Sequence, residues 1–97
     1  MAKEVKSHTI CGKRYKIVWV PPSKLCGGTA DGTCDHPTTK GKKIQIATKL
    51  SDKDTLETVI HEIYHASDPN LSEEAVNEMA RDMASLLWRL GYRRQKE

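Results

Sequence analysis

Residues 51–70 read Ser51-Asp52-Lys53-Asp54-Thr55-Leu56-Glu57-Thr58-Val59-Ile60-His61-Glu62-Ile63-Tyr64-His65-Ala66-Ser67-Asp68-Pro69-Asn70. From Ser51 the apolar residues recur at helical spacing. Ser51 suits the N-cap, and Asp52 and Asp54 suit the positive end of the helix dipole. Asp68-Pro69-Asn70 stops the helix, which the pattern places at 51–67. Val59, Ile63 and Ala66 point one way, His61 and His65 point nearly the opposite way, and Leu56, Ile60 and Tyr64 lie between. Such a helix is expected to be sandwiched, with a sheet on its apolar side and another element over its histidines.

Downstream, the connection Asp68 to Leu71 is short, so the next helix must turn back beside the first. Ser72 is its N-cap, Glu73 and Glu74 occupy its first turn, and Gly91 ends it, giving 72–91. Its apolar stripe is Val76, Met79, Ala80, Met83, Leu86, Leu87 and Leu90, and Trp88, Leu90 and Tyr92 are expected to close the core. Residues 92–97 form a polar tail.

Upstream, Val5 to Ile10 and Tyr15 to Val20 read as strands joined at Cys11-Gly12, an antiparallel hairpin ended by Pro21-Pro22. Residues 23–41, rich in Gly, Thr, Asp and Pro, read as a long loop. Lys43 to Thr48 alternates again and makes a third strand. The expected fold is α+β: a small, three-stranded, mainly antiparallel sheet (1–50) followed by two packed helices, in one domain spanning 1–97. A chain of 97 residues is short for a self-sufficient core, so a bound metal would help it.

His61-Glu62-Ile63-Tyr64-His65 has the form HExxH. Histidines four apart on a helix share a face and can hold one metal ion, while the intervening glutamate can work on a metal-activated water. Shuffling this composition would produce the pattern in about one percent of cases. A catalytic zinc usually takes three protein ligands. No histidine follows His65, position 68 is Asp and position 71 is Leu, so HExxHxxGxxH is excluded. The third ligand is then sought at the start of the second helix. At 100° per residue, Glu73 lies about 60° from Val76, 20° from Ala80 and 40° from Leu87, on the inward stripe. Glu74 lies about 140° from Met79 and 180° from Met83, toward solvent. Glu73 is the preferred ligand, with Glu74 and Asp68 as alternatives, and Asn77 one turn on could orient it.

The other histidines and the cysteines give weaker signals. Cys26, Cys34 and His36 lie close in sequence, and with Cys11 they could hold a second zinc. The C-x-x-C spacing is missing, so free thiols are the simpler reading. Three cysteines and no apolar leader at Met1 to Ile10 suggest reduced thiols and a cytoplasmic protein. No apolar run approaches the ~18 residues of a membrane helix. Residues 1–50 carry ten Lys or Arg against three acids, and residues 51–97 carry six against ten. The basic front half suits nucleic acid or an acidic partner, but a solvated sheet face accounts for it as well. No aromatic falls in a base-stacking motif, and the pattern implies no particular oligomeric state.

With HExxH on one helix and Glu73 on the next, residues 43–91 resemble the gluzincin-type zincin metallopeptidases. The likeness is greatest to the minigluzincins and small phage-type zincin peptidases. The helix with Glu73, Ala75, Asn77, Met79 and Ala80 is also similar to the glutamate helix of ImmA/IrrE-type peptidases. The resemblance implies one Zn²⁺ per chain on His61, His65 and Glu73, and Glu62 as general base in peptide-bond hydrolysis. It also implies that the strand before the HExxH helix, here Lys43 to Thr48, borders the cleft and pairs with an extended peptide or protein substrate. A donor for the oxyanion is expected, with Tyr64, Tyr15 and Tyr92 as the phenols on hand. The competing reading is an inactive zinc-stabilised binding module, against which stands Glu62, a residue that ligation alone does not need.

Overall fold

Cys11 and Gly12 take positive φ, 49° and 77°. They form the two-residue turn between β1 (Ser7–Ile10) and β2 (Lys13–Val20), which pair antiparallel from Ser7↔Lys16 to Ile10↔Lys13. Two successive positive φ values match the right-handed twist of the flanking strands. The computed structural model describes residues 4–25 and 31–95. After Pro21 comes a 3₁₀ turn, Pro22–Lys24, and then β3 (Gly32–Cys34) and β4 (Lys43–Ala47). Two helices follow, α1 (Asp52–Ser67) and α2 (Glu73–Arg89).

The class is α+β, but the sheet differs from the expected one. It has four strands in the order β1-β2-β4-β3. β4 runs parallel to β2 in the register Ile17↔Ile44 and Trp19↔Ile46, and antiparallel to β3 in the register Thr33↔Gln45. The third strand from the sequence is thus β4, at the centre of a mixed sheet. β3 lies within the stretch expected to be loop. Its three residues are too few for an alternation to show, and Thr33 Oγ1 donates to Gln45 Oε1 at 3.1 Å across the ladder. The parallel pairing needs a long crossover between β2 and β4, and residues 21–42 supply it.

α1 lies between the sheet and α2. On one side Val59 and Ala66 pack with Ile10, Tyr15, Ile44 and Ile46. On the other, Ile60 meets Ala80 and Ala84, flanked by Leu56, Tyr64 and Leu87. Both alanines are fully buried, so the helix backbones approach closely. The caps are those expected: Ser51 Oγ accepts from the Asp54 N–H and Ser72 Oγ from the Ala75 N–H, each at 3.1 Å. α2 ends as the tail turns at Gly91 (φ 96°), with the Tyr92 N–H donating to the Leu87 carbonyl at 3.1 Å.

The buried stripe of α2 is narrower than the sequence suggested. Val76, Ala80 and Ala84 are buried, whereas Met83, Leu86, Leu90 and Tyr92 are exposed. Among the described residues α1 is the element packed on α2, and the outer half of the α2 apolar face has no layer above it. Trp88 is half-buried and stacks under Arg93, whose guanidinium carbon lies 3.3 Å from the ring centroid. Beyond α1 the β1–β2 face is left as an apolar hollow of about 390 Å³, lined by Ile17, Trp19, Val59, Ile63, Trp88 and Tyr92 among others. Among the described residues, no helix is long and apolar enough to cross a membrane.

Two substitutions test this packing by urea unfolding. Cys11→Asn places at this left-handed position a residue that tolerates it better and is expected to raise stability by about 0.5–1 kcal/mol. Ala80→Leu overfills the α1–α2 contact and is expected to lower it by about 1–3 kcal/mol.

Candidate metal centre

The last two turns of α1 carry His61 and His65, and the first residue of α2 is Glu73. A helix side chain leans toward the N-terminus of its helix, so Glu73 reaches back over the short turn onto α1. Its Oε1 lies 2.9 Å from His61 Nε2 and its Oε2 lies 2.9 Å from His65 Nε2. The two Nε2 atoms are 3.0 Å apart. Glu73 was expected on the inward stripe, yet its side chain is 64% exposed. It stands at the rim of the helix pair, one turn before the buried Val76, where a carboxylate can reach both imidazoles and remain hydrated. Glu74 does not join the group. Neither does Asp68, whose Oδ1 accepts the Asn70 N–H at 3.0 Å and so shapes the turn.

His61, His65 and Glu73 offer one ligand atom each, all within 4.8 Å of one another. Two imidazole nitrogens and a carboxylate oxygen form a donor set that zinc accepts in catalytic sites. Ligands of a tetrahedral zinc sit about 3.3 Å apart, so these atoms need part by only a few tenths of an ångström. The residues therefore fit the ion.

Glu62 is buried under the edge of the sheet, at the floor of the opening, which it lines together with His61 and His65. Thr58, Glu62 and Ala66 form one buried row along α1. Above this row β3 passes without a side chain at Gly32. A Cβ there would stand 2.8 Å from Thr58 Cγ2, 2.9 Å from the Gln45 carbonyl oxygen and 3.1 Å from Glu62 Oε2. Glycine is therefore what lets the edge strand lie against the glutamate. Burial pushes the Glu62 carboxyl up to about 7, and the Glu73 charge adds to the rise. Sequence reasoning missed Gly32 and Thr58. The small residues four before and four after Glu62 were the available signal that its face is covered.

The cleft over the histidines has a volume of about 360 Å³. One wall is Pro69 and Glu73, and the other is Gly32, Cys34, Asp35 and His36, from β3 and the turn after it. β3, not Lys43 to Thr48, is therefore the strand that borders the opening. β4 is paired on both sides, which closes it to an added strand, whereas among the described residues β3 pairs with β4 alone. Asn77 lines an adjoining hollow beside Glu73. The slightly larger apolar hollow beyond α1 includes none of the three candidate ligands.

Among the described residues no tyrosine lines the cleft. Tyr15 is fully buried and its hydroxyl donates to the Asp35 carbonyl at 3.3 Å. Tyr64 packs against α2, and Tyr92 lines the apolar hollow. The alternative of a second zinc on Cys11, Cys26, Cys34 and His36 includes Cys26, which lies outside the described residues; Cys11, Cys34 and His36 do not come together as a ligand group. Cys11 and Cys34 are free thiols. Cys34 packs on the core beside Tyr15 and donates to the Asp35 carbonyl at 3.4 Å, and burial pushes its thiol up to about 12. His36 instead meets Thr38, with Nδ1 to Oγ1 at 2.8 Å.

No family model, curated protein or solved structure matches this chain.

The raised Glu62 carboxyl has a thermodynamic consequence. Folded, it titrates near 7; unfolded, near the ordinary 4.5. The native state of the metal-free chain thus binds the proton more tightly, and stability contributed by protonated Glu62 is lost as pH rises between these values. Glu62→Gln in the metal-free chain is expected to be nearly neutral at pH 4 and stabilising at pH 8, by up to about 3 kcal/mol. Thermal melts at the two pH values, with chelator present, read the difference. An equal effect at both would contradict the burial of a carboxylate here.

Proposed function

We propose that the chain is a zinc-dependent metallopeptidase of the gluzincin type, hydrolysing peptide bonds with Glu62 as general base. The observation that carries this reading is the buried Glu62 next to the three converging ligand atoms of His61, His65 and Glu73. Burial of a carboxylate costs free energy, and ligation alone gives no reason to bear it. A carboxylate set beside the ligands can take a proton from water and return it. The inactive-module reading leaves the burial of Glu62 unexplained.

His61, His65 and Glu73 would hold the ion. Zinc bound there would supply an acidified water and a polarised carbonyl. Glu62 takes the proton of the attacking water and passes it to the leaving amine. The free edge of β3 offers backbone groups to an extended peptide, and Gly32 keeps that edge close to Glu62. The substrate class is an unfolded or extended polypeptide segment. The odd number of cysteines suits reduced thiols, and so the cytoplasm as its place of action.

The test separates ligation from catalysis. Glu62→Gln is expected to retain zinc and to hydrolyse denatured casein at least about 10²-fold more slowly than wild type. Glu73→Ala is expected to lose zinc as well as activity. Full activity in a zinc-loaded Glu62→Gln chain would overturn the mechanism.

A further inference from the structure

Water attack on a peptide carbonyl moves the C=O π electrons onto oxygen, and that charge is best met by a donor already in position. The groups lining the cleft can be taken in turn. His61, His65 and Glu73 are the candidate ligands, and Glu62 is the base. Asp35 is an acceptor, and its Oδ2 already takes the Lys43 N–H at 3.0 Å. Cys34 is turned to the Asp35 carbonyl at 3.4 Å. Among the described residues the remaining polar side chain is His36, on the turn that follows β3.

The surroundings of His36 favour one tautomer. The Thr38 backbone N–H donates to His36 Nδ1 at 3.2 Å, and the Thr38 hydroxyl, 2.8 Å from the same nitrogen, donates to it in that tautomer. A backbone N–H is an obligatory donor, so the nitrogen that receives it carries no hydrogen. The neutral ring then bears its proton on Nε2. The Thr39 N–H donates to the His36 carbonyl at 2.9 Å and closes the turn that presents the ring. His36 is exposed and lies outside the converging ligand group.

We propose that His36 is the oxyanion donor of this site: its Nε2–H hydrogen-bonds the scissile carbonyl oxygen as negative charge develops there, from the wall opposite Glu73. The inference rests on the peptidase reading. His36 keeps its proton throughout. Water oxygen bonds to the carbonyl carbon, the C–N bond breaks, and the amine receives the proton carried by Glu62. Thr38 is a positioning residue, acting through the ring.

The experiment uses the zinc-loaded full chain and two readouts, hydrolysis of denatured casein and calorimetric binding of a poly-alanyl phosphinic peptide, which presents a tetrahedral anion. In His36→Ala, kcat is expected to fall about 10²–10³-fold with little change in KM, and phosphinic-peptide affinity to fall with it. Zinc content and melting temperature are expected to stay at wild-type values. His36→Gln, which keeps an N–H donor, is expected to recover part of both losses. A His36→Ala chain that binds the phosphinic peptide and turns over as wild type does would overturn the assignment alone. Loss of zinc in that variant would overturn it in favour of a ligand role. A zinc-loaded wild-type chain that neither binds the phosphinic peptide nor cleaves casein would overturn the peptidase reading and this inference with it.

Discussion

Three side chains from two helices meet with their donor atoms 2.9–3.0 Å apart, and the fold has to hold two helix ends in register for that to happen. The α1–α2 pair does so through small residues. Ala80 and Ala84 let α2 lie close on Ile60, and the Asp68–Leu71 turn returns the chain within one helix diameter. A slip of one residue in α2 would rotate the first residue by about 100° and take Glu73 away from both histidines. In so small a chain, metal ligation would reinforce this contact, since an ion that binds only the folded arrangement adds its binding free energy to folding.

A second constraint runs along the β3 side of α1. The helix sets Glu62 under the sheet edge, at the floor of the opening that His61 and His65 also line. That placement needs an edge strand that can lie flat on a carboxylate, and Gly32 provides it. The same edge strand leads into the turn of His36. Glu62 and His36, the proposed base and donor, and the β3 edge are therefore held by one short stretch, residues 32–36, clamped to β4 by Thr33–Gln45 and by the paired bonds between Asp35 and Lys43. The candidate residues are distributed over two helices and a strand, but their geometry is set by two contacts: alanines against Ile60, and glycine against Glu62.

The parts of this arrangement that could be read from sequence are those governed by local periodicity. The two helices, their Ser51 and Ser72 caps and the facing of His61 and His65 follow from spacing at three and four. Glu73 followed from the same wheel, though for an incomplete reason: it was placed inward and in fact sits at an exposed rim, reaching back by the tilt of the Cα–Cβ bond. What periodicity could not give was non-local. β3 is three residues long and takes its identity from Gln45, twelve positions away, and the parallel register of β2 with β4 depends on the intervening crossover. The exposure of Met83, Leu86 and Leu90 was equally hidden, because an apolar stripe does not record how many layers cover it. The simpler reading of the cysteines as free thiols holds for Cys11 and Cys34, and Cys34 is drawn to the Tyr15 core.

The claim on which the account turns is that His61, His65 and Glu73 form one zinc site. Elemental analysis of metal per chain, after loading with excess zinc and exhaustive dialysis, tests it most directly when wild type is run beside Glu73→Ala and Glu74→Ala. One zinc per chain in wild type and in Glu74→Ala, with loss in Glu73→Ala, is the predicted result. Retention of a full equivalent in Glu73→Ala, or no zinc in wild type, would contradict it.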